Sequence, residues 1–107
     1  MVEWVSGNIF IRPMKFEKAG NKINGHKHNF DHTTIVFKGA VHVKALTPDG
    51  RVIERDFAAP AHFLVKAEVE HEITATADGT EAWCVYSHRT AQGDVVQDYT
   101  GWERAYG

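Results

Sequence analysis

Apolar and polar residues alternate with a period of two along most of this chain, and turn-forming residues interrupt the alternation every few positions. A period of two places successive side chains on opposite faces of a β-strand, whereas an α-helix needs a period near 3.6. No stretch of the sequence shows a convincing helical period. Short strands at this spacing are typical of a sandwich or barrel, so we predict an all-β fold.

The predicted strands cover most of the chain before residue 90. They span residues 8–17, 32–37, 40–47, 51–57, 62–65, 71–76 and 81–88, and residues 18–25 are predicted to form a loop. Residues 47–50 and 77–80 predict two hairpin turns, because Pro48 presets its own φ angle and Gly50 and Gly79 accept a positive one.

The alternation also predicts which side chains point inward. If His32 faces the interior, Thr34 and Val36 do so too, and Ile35 and Phe37 point outward. Since both faces of this strand are apolar, neither should be left to water. We therefore expect a partner subunit or the chain's own aromatic tail to cover the outer face, and a homodimer is the simplest arrangement.

The strand over residues 81–88 has two apolar faces, and the sequence leaves its orientation open. The inward pair is either Cys84 and Tyr86 or Trp83 and Val85. Tyr86 is a candidate for a catalytic proton donor, although burial in the core is the more ordinary role for a tyrosine.

Length and composition predict one domain over residues 1–107, with its core at about residues 8–90. Tyr99, Trp102 and Tyr106 lie in a tail, residues 91–107, that we expect to dock on the barrel or on a second subunit. With 12 basic and 14 acidic residues and no basic stripe, nucleic acid is not an expected partner.

Membrane insertion and secretion are not expected either. No apolar stretch approaches the roughly 18–20 residues that span a bilayer, and the first residues lack the features of a signal peptide. The single cysteine, Cys84, has no partner for an internal disulfide, which fits a reducing cytoplasmic setting. We interpret it as a small core residue.

Histidine is the residue type that points to chemistry. His26 and His28 are two positions apart, so on an extended strand both imidazoles face the same way, and His32 keeps that parity. His71 lies on a distant strand and meets the others only if the sheet closes on itself. Neutral imidazoles suit Fe, Ni, Cu, Co or Zn, and four of them leave the dication's charge uncompensated. That charge would attract an anionic molecule or lower the pKa of a bound water.

The other histidines are assigned mainly to the surface. His42 shares a face with Lys44, which indicates solvent, and His62 is assigned to the same class. His88 follows Cys84 and Tyr86 at a period of two, so the alternative interpretation is that it lines the cavity inside the barrel.

These histidines resemble the first motif of the cupin superfamily. Gly20 is followed by five residues, then by His26-Lys27-His28, and Gly39 closes the motif at the expected spacing. His32 occupies the position at which that motif has glutamate. The second motif is matched less well: His71 fits its histidine, but Lys66 and Glu68 stand where proline and glycine are expected.

The resemblance covers roughly residues 9–88 and implies a small jelly-roll barrel, open at one end, with a metal at its centre. It implies a four-histidine site formed by His26, His28, His32 and His71. Because His32 replaces a hard carboxylate oxygen, Fe, Ni, Cu or Zn is favoured and Mn is less favoured. Tetrahedral zinc would be closed by four protein ligands, whereas a six-coordinate metal would keep two open positions.

Cupins include dioxygenases, isomerases, decarboxylases and non-enzymatic binders, so the fold does not choose a reaction. We expect a metal-binding cupin with dioxygenase or related activity on a small, anionic molecule. The alternatives are a module that binds a small ligand without turnover and a barrel whose metal is only structural.

Overall fold

Nine β-strands form the computed structural model, which describes residues 4–26 and 31–87. The strands are β1 (Trp4–Ser6), β2 (Ile9–Phe16), β3 (Lys22–His26), β4 (His32–Lys38), β5 (Ala40–Leu46), β6 (Val52–Ala58), β7 (Ala61–Val65), β8 (Glu70–Ala75) and β9 (Thr80–Ser87). Within these ranges there is no helix, so none is long and apolar enough to cross a membrane.

The strands form two sheets that are antiparallel throughout. One sheet has the order β1-β2-β9-β4-β7 and the other the order β3-β8-β5-β6. The chain crosses repeatedly from one sheet to the other, and the two inner faces enclose a shared core. This is a jelly roll, and the predicted all-β fold is confirmed.

The core consists of alternate residues from both sheets. On β4, Thr34 and Val36 are fully buried and His32 is 3% exposed, whereas Ile35 and Phe37 are 38% and 45% exposed. The inward and outward faces predicted for this strand are therefore correct. On β8, the alternate residues His71, Ile73 and Ala75 are all buried.

The orientation of β9, which the sequence left open, is now defined. Ala82 and Tyr86 are buried, and Cys84 packs against the core between them. Trp83 lies on the outer face, where its ring meets Phe37 edge-on at 5.3 Å between ring centroids. The outer face of β9 can therefore be apolar, because edge-on aromatic contacts cover part of it.

Two elements differ from the sequence prediction. β3 lies inside the stretch predicted as a loop, where its register with β8 pairs Lys22 with Thr74 and Ile23 with Ile73. β1 was not predicted at all, and it pairs with β2. Both strands are short and owe their conformation to backbone pairing rather than to an alternating pattern of their own.

The two predicted hairpin turns have different outcomes. Residues 47–50 connect β5 and β6, which pair over their full length; Gly50 has a φ of 89° and its N–H donates to Thr47 O at 3.0 Å. Residues 77–80 also form a turn, with Gly79 at a φ of 69°, but the prediction that this turn closes a hairpin is wrong. β8 and β9 belong to different sheets, so this turn carries the chain across the core.

The outer face of the five-stranded sheet is apolar. Trp4 meets Trp83 edge-on at 5.4 Å, and Phe37 continues this row on the other side of Trp83. Ile35 and Leu64 extend the same face. The tail predicted to dock, residues 91–107, lies outside the described residues, so tail docking and the homodimer stay predictions.

Candidate metal centre and the adjoining cavity

Two of the four predicted ligands face each other across the interior. His32 is the first residue of β4 in one sheet, and His71 is the second residue of β8 in the other. Their ring centroids are 5.0 Å apart with planes tilted by 48°, and the residues are 3% and 4% exposed. Closure of the two sheets therefore brings together histidines that are distant in the sequence.

The backbone fixes the orientation of the His71 ring. Its Nδ1 lies 3.1 Å from the carbonyl oxygen of Val69, an acceptor only, so Nδ1 carries the proton that is donated. In the neutral imidazole the lone pair then resides on Nε2. Metal-binding histidines are commonly oriented in this way, by a hydrogen bond from the other ring nitrogen.

The separation of the two rings fits a shared metal ion. Metal–nitrogen bonds of about 2.0–2.1 Å place the centre of each imidazole roughly 3.2 Å from the ion. For bond angles of about 90–110°, the two ring centres would then be roughly 4.5–5.2 Å apart. The observed 5.0 Å lies inside this interval.

The other two predicted ligands are not tested. The backbone of His26 pairs directly with His71 in the register of β3 and β8, but the His26 side chain and the whole of His28 lie outside the described residues. Among the described side chains, no group of three or more histidine, cysteine, aspartate or glutamate residues could hold a metal. The four-histidine site remains a prediction.

The backbone supports the match to the cupin motifs. Gly20 and Gly39, the two motif glycines, have φ angles of 94° and 77°, values that glycine adopts readily. Glu68 stands where the second motif expects glycine, and its φ is 67°. It is the one non-glycine residue with a positive φ within the described ranges. The left-handed conformation is thus retained three residues before His71, although the glycine is not.

Tyr86 and Asp31 have different relations to the histidine pair. Val85 pairs with Thr33, so Tyr86 lies next to His32 if the same register continues, and its ring stacks on Phe10 with centroids 4.8 Å apart. Its assignment as a proton donor stays a prediction. Asp31, the residue before His32, is exposed and accepts a hydrogen bond from the Ala67 N–H at 2.7 Å, as a turn residue does.

The histidines assigned to the surface behave as expected where they are described. His62 is exposed on β7. His42 lies on the outer face of β5, where Nδ1 is 2.8 Å from Asp56 Oδ1 and Nε2 is 3.0 Å from Glu54 Oε1. His88 lies outside the described residues.

A cavity of about 400 Å³ opens beside His71. Strands β5, β6 and β7 supply most of its apolar walls, including the stacked rings of Phe57 and Phe63. Three cationic residues, Arg51, Arg55 and Lys66, also line it. Arg55 was not among the predicted site residues, although its parity with Ile53 and Phe57 on a single strand was a signal that it lies on the cavity side of that strand.

Solved structures with the same architecture come from the cupin superfamily. Oxalate decarboxylase of Bacillus subtilis, whose Mn(II) centres have been studied, aligns with a TM-score of 0.69 at 22% identity over 75% of this chain and 21% of that one. Oxalate decarboxylase of Lactobacillus farciminis, in a formate complex, gives a TM-score of 0.69 at 24% identity, covering 77% and 24%. A cupin superfamily protein of Desulfitobacterium hafniense gives 0.61 at 17% identity, covering 78% and 71%.

These likenesses show the fold: the chain has the jelly-roll fold of the cupin superfamily. It spans about a quarter or less of the length of the oxalate decarboxylases that it matches. No family model matches the sequence, and no curated protein matches it.

Proposed function

We propose that this chain is a metal-binding cupin whose histidine centre binds a small anionic molecule. The observation that carries the proposal is the buried pair of imidazoles, His32 and His71, which face each other from opposite sheets at a separation suited to one metal ion. His26 and His28 are the two further ligands, in agreement with the spacing of the cupin motif. The metal is a divalent transition ion.

The ligand set favours Fe, Ni, Cu or Zn. The B. subtilis oxalate decarboxylase contains Mn(II), so Mn has a precedent in this fold. In the cupin motif the fourth ligand is a glutamate, whereas here His32 supplies a neutral nitrogen instead of a hard, charged oxygen. That exchange shifts preference away from Mn.

When bound, the metal supplies a Lewis acid that polarises the oxygens of a ligand or lowers the pKa of a coordinated water. The protein's own contribution is to orient and to exclude water. Val69 holds the His71 ring through its carbonyl oxygen, and the buried side chains of Thr34, Val36 and Ile73 keep the interior dry beneath the histidines.

The test measures metal content per chain by plasma mass spectrometry after anaerobic incubation with Fe²⁺, Ni²⁺, Cu²⁺ and Zn²⁺. We expect close to one ion per chain in the wild type and loss of that ion in H32Q and H71Q. H62Q is the matched control, since His62 is exposed on a neighbouring strand, and it should retain the ion. Circular dichroism establishes that each variant is folded.

A wild type that binds none of the four ions overturns the proposal, as does a folded H32Q or H71Q variant that keeps a full complement of metal. H26Q and H28Q then decide whether the ligand number is four: each should lower metal affinity, and a site unaffected by both would contain other ligands.

The reaction class is a separate question, because the fold accommodates enzymes and binders alike. We favour dioxygenase or related chemistry on the bound anion, with Tyr86 as the candidate proton donor. The cavity beside His71 favours the second candidate function, a module that binds a small ligand without turnover. Oxygen consumption by the metal-loaded protein, measured with candidate acids, supports the enzyme; tight binding without consumption supports the binder.

A further inference from the structure

The charge of the cavity beside His71 is opposite in sign to that of the protein. The whole chain has 12 basic and 14 acidic residues, a formal net charge of -2. Arg51, Arg55 and Lys66 line the cavity, and no acidic residue of the described part of the chain does so. Such a concentration of one sign of charge in a concave, mostly apolar site favours an anion there.

Arg55 is the most informative of the three. It lies between Ile53 and Phe57 on β6, on the face that lines the cavity, where the alternation would place an apolar residue, and it is exposed to solvent there. Its Nη1 donates to the carbonyl of Glu54 at 2.8 Å, and within the described residues no carboxylate lies within ion-pair distance of it. The remaining donors of its planar guanidinium suit a carboxylate.

The register of the sheet relates Arg55 to the histidine centre. Ile53 pairs with Ala45, and Ala45 pairs on its other side with His71, so these residues form one row across β6, β5 and β8. Arg55 lies one inward-facing position along β6 from this row. The row spans two strand spacings, roughly 10 Å, which a small organic acid can bridge.

The other two cations differ in their surroundings. Arg51 is neutralised by Asp49, with Nε 3.0 Å from Oδ2. Lys66 follows β7, whose last residue, Val65, pairs with His32, and no carboxylate of the described chain reaches it. Lys66 and Arg55 are therefore the two cationic side chains of the cavity that can pair with an anionic ligand.

The wall between these charges is aromatic and aliphatic. The rings of Phe57 and Phe63 stack at 4.4 Å with planes 22° apart, and Val43, Val65 and Val69 continue the surface. A ligand that is only a compact, fully polar anion would leave this surface in contact with water, whereas an apolar body would displace that water.

We propose that the anion bound by this protein is a monocarboxylic acid with an aromatic or branched apolar body. Arg55 holds the carboxylate, Phe57 and Phe63 contact the body, and the molecule extends along the wall toward Lys66 and His71. This inference rests on the proposed function, since it names the chemical class of the small anionic molecule that the protein is proposed to bind.

The experiment titrates the metal-loaded protein with three probes by calorimetry: 3-phenylpropionate, its neutral amide, and acetate. The amide removes the charge and acetate removes the body. We expect 3-phenylpropionate to bind at least about tenfold more tightly than either, and R55Q to weaken it by at least about tenfold. K15Q is the control, since Lys15 is exposed on β2 and outside the cavity lining, and it should bind like the wild type.

Equal affinity for 3-phenylpropionate and its amide overturns the inference, and so does unchanged binding in a folded R55Q variant. Acetate binding as tightly as 3-phenylpropionate contradicts the role of the apolar wall. Metal content is measured on the same samples, so the two proposals fail separately: metal without acid binding refutes the ligand class alone, whereas acid binding without metal refutes the metal centre alone.

Discussion

Gly39, between β4 and β5, has both a special conformation and a close neighbour. Its φ is 77°, and a Cβ atom at this position would lie 2.8 Å from the Cα of Thr80 and closer still to the Thr80 hydroxyl. Thr80 is fully buried, and its Oγ1 donates to the Ala77 carbonyl at 2.8 Å, so it has little room to move. This contact gives a physical reason for the glycine in the motif.

We expect G39A to lower the free energy of unfolding by about 2–4 kcal/mol, from the left-handed backbone and the clash together. Gly50 is the matched control, because its φ is 89° but no atom lies within 4 Å of the added Cβ. G50A should cost about 1 kcal/mol. Urea unfolding measures both, and equal losses in the two variants would refute the steric part of this explanation.

Glu68 poses the reverse case, since a side chain occupies a position where the backbone favours glycine. Its φ of 67° carries a steric cost, so E68G should raise the free energy of unfolding by about 0.5–1 kcal/mol. Glu70, at the start of β8, has ordinary strand geometry, so E70G should lower the free energy of unfolding by about 0.5–1 kcal/mol. Thermal unfolding of the two variants checks the sign, and a destabilised E68G would contradict the account.

Single residues also show where sequence reasoning succeeds and where it stops. The faces of His32, Thr34 and Val36 followed from alternation, because a strand between an interior and a surface has only two orientations. Arg55 was missed because inward positions were expected to be apolar. Arg55 is an exposed residue at the rim of a cavity, and the sequence of β6 alone does not show that neighbouring strands form a cavity beside it.

At the scale of elements, β5 and β6 are joined on their outer face by His42. Its two ring nitrogens face Glu54 and Asp56, and only the imidazolium donates to both carboxylates at once. The hydrogen bond to Glu54, followed by that to Asp56, raises the pKa of His42 above its ordinary value of 6.5. Because the pKa is raised in the folded state, the stabilisation is complete below pH 6.5 and is lost as the pH rises through the folded-state pKa.

We therefore expect an NMR titration to give His42 a pKa above 6.5, and E54Q to lower that pKa. E70Q removes a carboxylate that lies four residues along β8 from Thr74, the residue that pairs with His42, and it should leave the His42 pKa unchanged. Because this site is exposed, the effect on stability is small and weakens in high salt. A His42 pKa at or below 6.5, or one insensitive to E54Q, would show that these contacts do not persist in solution.

Elements with strong alternation were predicted nearly to their ends, and elements without it were not. β3 contains Lys22, Asn24 and Gly25, a composition typical of a loop, and its pairing with β8 supplies what the composition lacks. The error at residues 77–80 has a different origin. Turn residues specify that the chain reverses, but whether the next strand joins the same sheet depends on the packing of the whole domain.

At the scale of the whole molecule, the open question is what covers the outer face of the five-stranded sheet. Trp4, Ile35, Phe37 and Leu64 are between 38% and 57% exposed on it. The homodimer expected from the sequence predicts a mass twice the 12.0 kDa of the chain by light scattering. F37K should reduce this mass to that of one chain, whereas L46K, at an exposed residue of the other sheet, should not.

A wild type of single-chain mass would contradict the homodimer. The aromatic tail, residues 91–107, would then be the expected cover, and its removal should expose the tryptophans of this face to a collisional quencher of fluorescence.

The central claim is that His32 and His71 share one metal ion, and anomalous diffraction tests it most directly. Crystals of the metal-loaded protein would be measured on both sides of the absorption edge of the bound element. The account predicts one anomalous peak per chain, about 2.0–2.3 Å from Nε2 of His71 and from a ring nitrogen of His32. A peak elsewhere on the molecule, or none beside these two rings in protein that contains stoichiometric metal, would contradict it.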